Sequence, residues 1–118
     1  MNYLIVFLGG AMGSLFRYYL SPLGSSIFPF FGTMFANLIG SFLVGALYWR
    51  LKPGDLRLFL ITGFLGGLTT LSSFSAETLD LMKQGLYGQA ILYLALTMMG
   101  SLLLVFLGIF LSKFTESL

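Results

Sequence analysis

The chain contains no cysteine and no histidine. Without thiolates or imidazoles it cannot form a disulfide, a His-based triad, or a zinc or haem site built on those ligands. Charge is scarce too: six basic and four acidic side chains make up 8% of 118 residues, where a soluble domain carries roughly a quarter. Such a chain cannot cover its own surface with polar groups. A net charge of +2 is too small to point to nucleic acid. No nucleophile, base and pocket can be assembled from these residues, which argues against an enzyme.

What is plentiful is apolar: 58% of the chain is hydrophobic, with a mean hydropathy of +0.97. The natural solvent is lipid. A helix needs about 20 mainly apolar residues to cross the hydrocarbon core, and four such runs occur, at 3–20, 31–49, 58–81 and 87–112. Their connections are short, so the expectation is an all-α, four-helix, multi-pass protein forming one membrane domain over 1–118. The first run has no basic flank ahead of it and carries Arg17 and several glycines, which fits a retained helix rather than a cleaved signal. Four helices enclose little space, so a water-filled path calls for an oligomer.

Four spans place both termini and the loop 50–57 on one side, with Arg50, Lys52, Arg57 and Lys113. Lys83 and Arg17 belong to the other side. The positive-inside rule leans towards cytoplasmic termini, though four against two is a small bias, and a weakly biased chain can insert both ways up. Pro22 and Pro29 bracket the first connection, Pro53-Gly54-Asp55 makes the second, and Lys83-Gln84-Gly85 ends the third span. Small residues recur at four-residue spacing (Gly9 and Gly13; Gly32, Ala36 and Gly40; Gly63 and Gly67), which suits close helix packing.

Polar groups at membrane depth need partners or a function. The stretch GFLGGLTTLSSFSAE, 63–77, holds three glycines and five hydroxyls. Gly63, Gly66 and Gly67 lower helix propensity, and Thr and Ser offer the backbone other hydrogen bonds. An unwound turn there would free carbonyls that suit a hard cation or line a path; a glycine-rich packing face is the alternative. Asn37 is either interhelical glue or a donor to a polar path. Arg17 either snorkels to the interface or gives an anion vestibule its positive field. Tyr93, Thr97 and Ser101 put three hydroxyls on one helix face, a track that ends at Val105, unless they bond back to their own carbonyls. Phe74 could turn a positive ring edge to an anion or simply pack. Glu77 and Asp80 read as interfacial carboxylates.

Four motifs in order, GGAMGSLFRY (9–18), GTMFANLIGSF (32–42), TGFLGGLTTLSSFSAE (62–77) and GSLLLVFLG (100–108), resemble the Fluc (CrcB) fluoride channels over the whole chain. The resemblance implies a dual-topology dimer of antiparallel four-helix subunits in the cell membrane, with a break in the third helix and two narrow fluoride pores. It implies a structural Na+ at the dimer centre, held by main-chain carbonyls of Gly66 and Thr69. Asn37, Thr97 and Ser101 would line the pore, Phe74 would contact the anion and Arg17 would sit in a vestibule. The partners implied are a second Fluc-type subunit (self or paralogue), fluoride and the bilayer.

Two positions depart from the family pattern. Leu71 replaces the first phenylalanine of the usual TTFSTF, and Val105 stands where a hydroxyl residue is common. Both a paralogous heterodimer with one decayed pore and a homodimer with an altered, working pore fit these changes. A non-conducting partner subunit and a small proton-coupled drug exporter are the competing functions. The exporter requires a carboxylate in the first span, which is absent.

Overall fold

The computed structural model describes residues 1–28 and 30–116, so Pro29, expected to bracket the first connection, lies outside the described residues. Every regular element among them is helical. Helix α1 runs Asn2–Leu20 and α2 runs Phe31–Leu47. The third span opens with α3 (Asp55–Arg57), continues as a π-helix over Leu58–Leu65, and closes its first half with α4 (Gly66–Leu68). After a break it resumes as α5 (Ser72–Lys83), and α6 (Tyr87–Glu116) completes the chain.

Three of these spans, Asn2–Leu20, Asp55–Lys83 and Tyr87–Phe114, are long and apolar enough to cross a bilayer. Helix α2 has 17 residues, about 25 Å at 1.5 Å per residue. It gains a further turn because the Tyr48 N–H donates to the Val44 carbonyl and the Leu51 N–H to Leu47. Little of the apolar surface is internal. Among the described residues two small clusters form the core, one around Leu20, Ala36, Leu65 and Leu68, the other around Phe74, Leu81, Ala90 and Tyr93. Rows of Leu, Ile, Phe and Met on α1 and α6 stay exposed, as a multi-pass protein in lipid requires.

Glycines decide which helices touch. A methyl group added at Gly9 would run into the main chain at Phe59 and Gly63, and one at Gly13 into the Phe64 carbonyl. Added at Gly67, it would meet the Gly10 carbonyl. Contacts rise together along both elements, so α1 packs parallel to residues 58–68. Helices α2 and α6 pair the same way: Gly100 faces Leu38, Gly45 faces the Val105 main chain, and Gly108 faces Phe42 and Ala46. The fold is therefore two parallel, closely packed helix pairs. The unwound turn expected within 63–77 is present at 69–71, after Gly63, Gly66 and Gly67 rather than at them. All three are helical, and Gly63 and Gly67 are small because a neighbouring backbone lies against them.

The turn after α5 follows a familiar capping geometry. Gly85 adopts a left-handed φ of 77°, the Leu86 N–H reaches back to the Leu81 carbonyl and the Gly85 N–H to Met82. These are the two bonds of a Schellman cap, for which glycine carries no Cβ penalty. The turn folds α6 back along α5 and brings Tyr93 beside Phe74 and Glu77.

Candidate functional site

Helical geometry ends at Thr69, whose backbone is extended (φ −86°, ψ 151°), and returns at Ser72. A break leaves carbonyls behind it and N–H groups ahead of it without helical partners. At membrane depth these must be met from within the protein. Asn37 of α2 meets two of them: Oδ1 accepts from the Thr70 N–H at 2.7 Å, and Nδ2 donates to the Thr70 carbonyl at 3.0 Å. Thr70 Oγ1 accepts from the Ser73 N–H at 3.2 Å, capping the first turn of α5. The Thr69 N–H and Oγ1 both donate to the Leu65 carbonyl, at 3.1 and 2.9 Å.

Two further residues accommodate the break. Arg17 Nε donates to the Gly67 carbonyl at 3.1 Å, placing a guanidinium beside the end of α4, where the helix field favours a cation. Its side chain thereby ties α1 to the third span. Gly40 leaves the space that the Thr69 methyl fills.

A groove of ≈ 240 Å³ runs along the break. Asn37 and Ser41 wall it from α2, Thr69, Thr70 and Leu71 from the break, Phe74 from α5, and Thr97 and Ser101 from α6. The structure thus brings together Asn37, Phe74, Thr97 and Ser101, which the sequence expectation had placed in one path. Thr97 is 3% exposed and its Oγ1 has no hydrogen-bond partner. It does not bond back to its own helix. An orphaned buried hydroxyl costs about 1–3 kcal/mol, and Thr97 presents this unsatisfied hydroxyl at the groove wall.

Phe74 is also 3% exposed. Its ring leans on Tyr93, with centroids 5.1 Å apart and planes at 58°. That contact fixes the ring at the groove wall, where its edge carries positive potential. Leu71, by contrast, is 70% exposed at the groove. Val105 is not part of the groove; its main chain is the surface on which Gly45 packs.

Sequence reasoning missed a polar cluster at one end of the groove. Tyr93 Oη donates to Glu77 Oε1 and Thr33 Oγ1 to Glu77 Oε2, each at 3.0 Å. Glu77 is half-buried and held by α2 and α6 together, whereas Asp80 is exposed and accepts from Gln84 Nε2 on its own side of the turn. The two carboxylates read alike in sequence but have separate surroundings. The signal was present: Thr33, Asn37 and Ser41 recur every four residues on α2, as Tyr93, Thr97 and Ser101 do on α6. Two parallel helices therefore present two facing polar tracks.

Among the described residues no group of three or more His, Cys, Asp or Glu side chains could hold a metal. The oxygens available near the break are main-chain carbonyls and hydroxyls, hard donors suited to a hard cation. Gly66 lies exposed on the outer side of α4.

Comparison with known proteins gives consistent matches. The family model described as CrcB-like protein, Camphor Resistance (CrcB), matches residues 4–109. The fluoride-specific ion channel FluC of Pseudomonas aeruginosa is 45% identical over 116 residues, covering 91% of this chain and 90% of that protein. A protein of the same name from Thermus thermophilus is 50% identical, covering 91% of each. That of Hydrogenobaculum is 44% identical, covering 94% of this chain and 97% of its own.

Proposed function

The chain belongs to the CrcB-like family, and from that premise we propose that it is the subunit of a fluoride-selective channel through which fluoride leaves the cytoplasm passively. The observation that carries the reading is the groove along the break, with the unpartnered Thr97 hydroxyl and the Phe74 ring on its walls. Fluoride is small and strongly hydrated, so a selective path must replace its water with closely placed donors. Hydroxyls of Thr97, Ser101 and Ser41 supply donors from two parallel helices. The Phe74 edge offers positive potential without a fixed charge that would trap the ion.

The Asn37 carboxamide both holds the break and faces the groove, so its second Nδ2 hydrogen serves the path while the first holds Thr70. Arg17 contributes positive potential from behind the break. Passive exit would relieve toxicity in a cell whose cytosol traps fluoride entering as neutral HF.

The pore requires a second subunit. One chain leaves the groove open on the side of the exposed Leu71 and offers few oxygens to a cation. A second Fluc-type chain, inserted antiparallel in the cell membrane, would close the path and bring its own break to the same place. Main-chain carbonyls of Gly66 and Thr69 from both chains would then hold a structural Na+, which neutralises the carbonyl ends facing each other. The donor set fits, being hard oxygen with no carboxylate cluster among the described residues to favour a divalent ion.

Leu71 and Val105 keep the non-conducting partner as a specific second reading, with a paralogue completing the dimer. Fluoride efflux from liposomes containing this chain alone, with chloride as control, separates the readings. A fast fluoride leak independent of a proton gradient supports a working homodimer. Silence from folded protein that becomes a leak once a paralogue is added identifies a partner subunit, and flux that needs a proton gradient contradicts the channel.

A further inference from the structure

A second cavity lies far from the break, where α2 and α6 end together. It is a groove of ≈ 660 Å³ lined by Gly45 and Trp49 from the α2 side and by Phe106, Ile109, Phe110, Ser112 and Lys113 from α6. Gly45 packs against the Val105 main chain, and the large Trp49 and Phe110 side chains both line the groove. The lining is mostly apolar, with the Ser112 hydroxyl and the Lys113 ammonium as its polar side chains. Arg50, Lys52 and Arg57 belong to the same end of the molecule, where Asp55 opens α3 and Glu116 ends α6 as the acidic residues. The Arg57 guanidinium lies 4.2 Å from the centre of the Tyr48 ring, so aromatic and cationic groups interleave as they do at a membrane interface.

We propose that this groove is a binding site for an anionic glycerophospholipid: an acyl chain lies along Phe106 and Phe110, and the phosphate sits at the Lys113 ammonium beside Trp49. A shape with an apolar trough ending in a single cation at interfacial depth matches a lipid with a negative headgroup. A second copy of the chain would not match it, because an apolar interface depletes rather than centres a lysine. A basic side chain near a lipid surface favours an anionic neighbour by about fivefold.

The chain's single tryptophan, Trp49, makes the site directly readable. Its fluorescence is followed in the full-length protein reconstituted in vesicles, with bromine on the upper acyl chain of either phosphatidylglycerol or phosphatidylcholine. The expected result is that brominated phosphatidylglycerol occupies the site about fivefold more readily, and that Lys113→Gln removes the preference while Lys52→Gln keeps it. Equal quenching by the two lipids would overturn the proposal. Equal loss in both variants would do the same, by showing a diffuse basic surface rather than a site. Quenching by either lipid that fades as protein density rises would assign the groove to a second copy instead. Glycerophosphate, which carries the anion without the chain, should not displace the brominated lipid; displacement would assign the site to a free phosphate.

Discussion

Asn37 and Thr70, 33 residues apart, hold one another through two hydrogen bonds, 2.7 Å from the Thr70 N–H to Asn37 Oδ1 and 3.0 Å from Asn37 Nδ2 to the Thr70 carbonyl. The carboxamide supplies to the break what a helix would have supplied, one acceptor and one donor. Replacing it with leucine, of similar size, leaves both main-chain groups without partners. Asn37→Leu should therefore destabilise the protein by about 1–3 kcal/mol, read as a lower melting temperature in detergent, and should abolish fluoride flux.

The close approach of α1 to the third span separates glycines that matter from those that do not. Gly13→Ala sets a methyl against the Phe64 carbonyl and should prevent α1 from packing, with loss of monodisperse protein. Gly88, in α6, has open space where a Cβ would be. Gly88→Ala should be neutral or stabilise by up to about 1 kcal/mol, measured as the same melting temperature.

The Thr33–Glu77–Tyr93 cluster joins α2, α5 and α6. Tyr93→Phe keeps the ring that supports Phe74 but removes one donor to Glu77, and should cost about 1–2 kcal/mol. A double-mutant cycle with Glu77→Ala tests the link: the two changes should couple, because each removes the same hydrogen bond. Additive effects would mean that the bond carries no stability.

Removal of sodium offers a readout independent of transport. If carbonyls of Gly66 and Thr69 hold Na+ between two subunits, exchange into a sodium-free, bulky-cation buffer should weaken the dimer and lower its melting temperature in a saturable, sodium-dependent way. Unchanged dimer mass and melting temperature would remove the cation from the account.

Much of the fold was legible because hydrophobic runs mark where lipid must be met. The expected spans 3–20 and 31–49 differ by one or two residues from α1 and from α2, which ends at Leu47 and runs on as turn. The last helix continues past 112 to Glu116 because hydropathy stops at Lys113 while helix propensity does not. The π-helix over Leu58–Leu65, against which the α1 backbone lies at Gly9 and Gly13, left no mark in the sequence. The break was expected from the glycines and the Thr and Ser hydroxyls together; it falls at the threonines, and the distant Asn37 completes it. Glycines serve equally for unwinding and for close approach, and only the neighbour decides which. The site's polar tracks were half visible: the α6 series was seen, and its partner on α2 became visible only once the two helices were known to run parallel.

Thr97→Val is the most direct test of the claim that the groove along the break is the fluoride path. The substitution is nearly isosteric and deletes only the unpartnered hydroxyl. Measured in liposomes, with the partner subunit present if the chain needs one, fluoride flux should fall by at least about tenfold, the loss of roughly one donor's 1.4 kcal/mol. The melting temperature should hold or rise, since an orphaned polar group has been removed. Flux equal to that of the unmodified chain would show that fluoride does not pass Thr97, and would contradict the assignment of this groove.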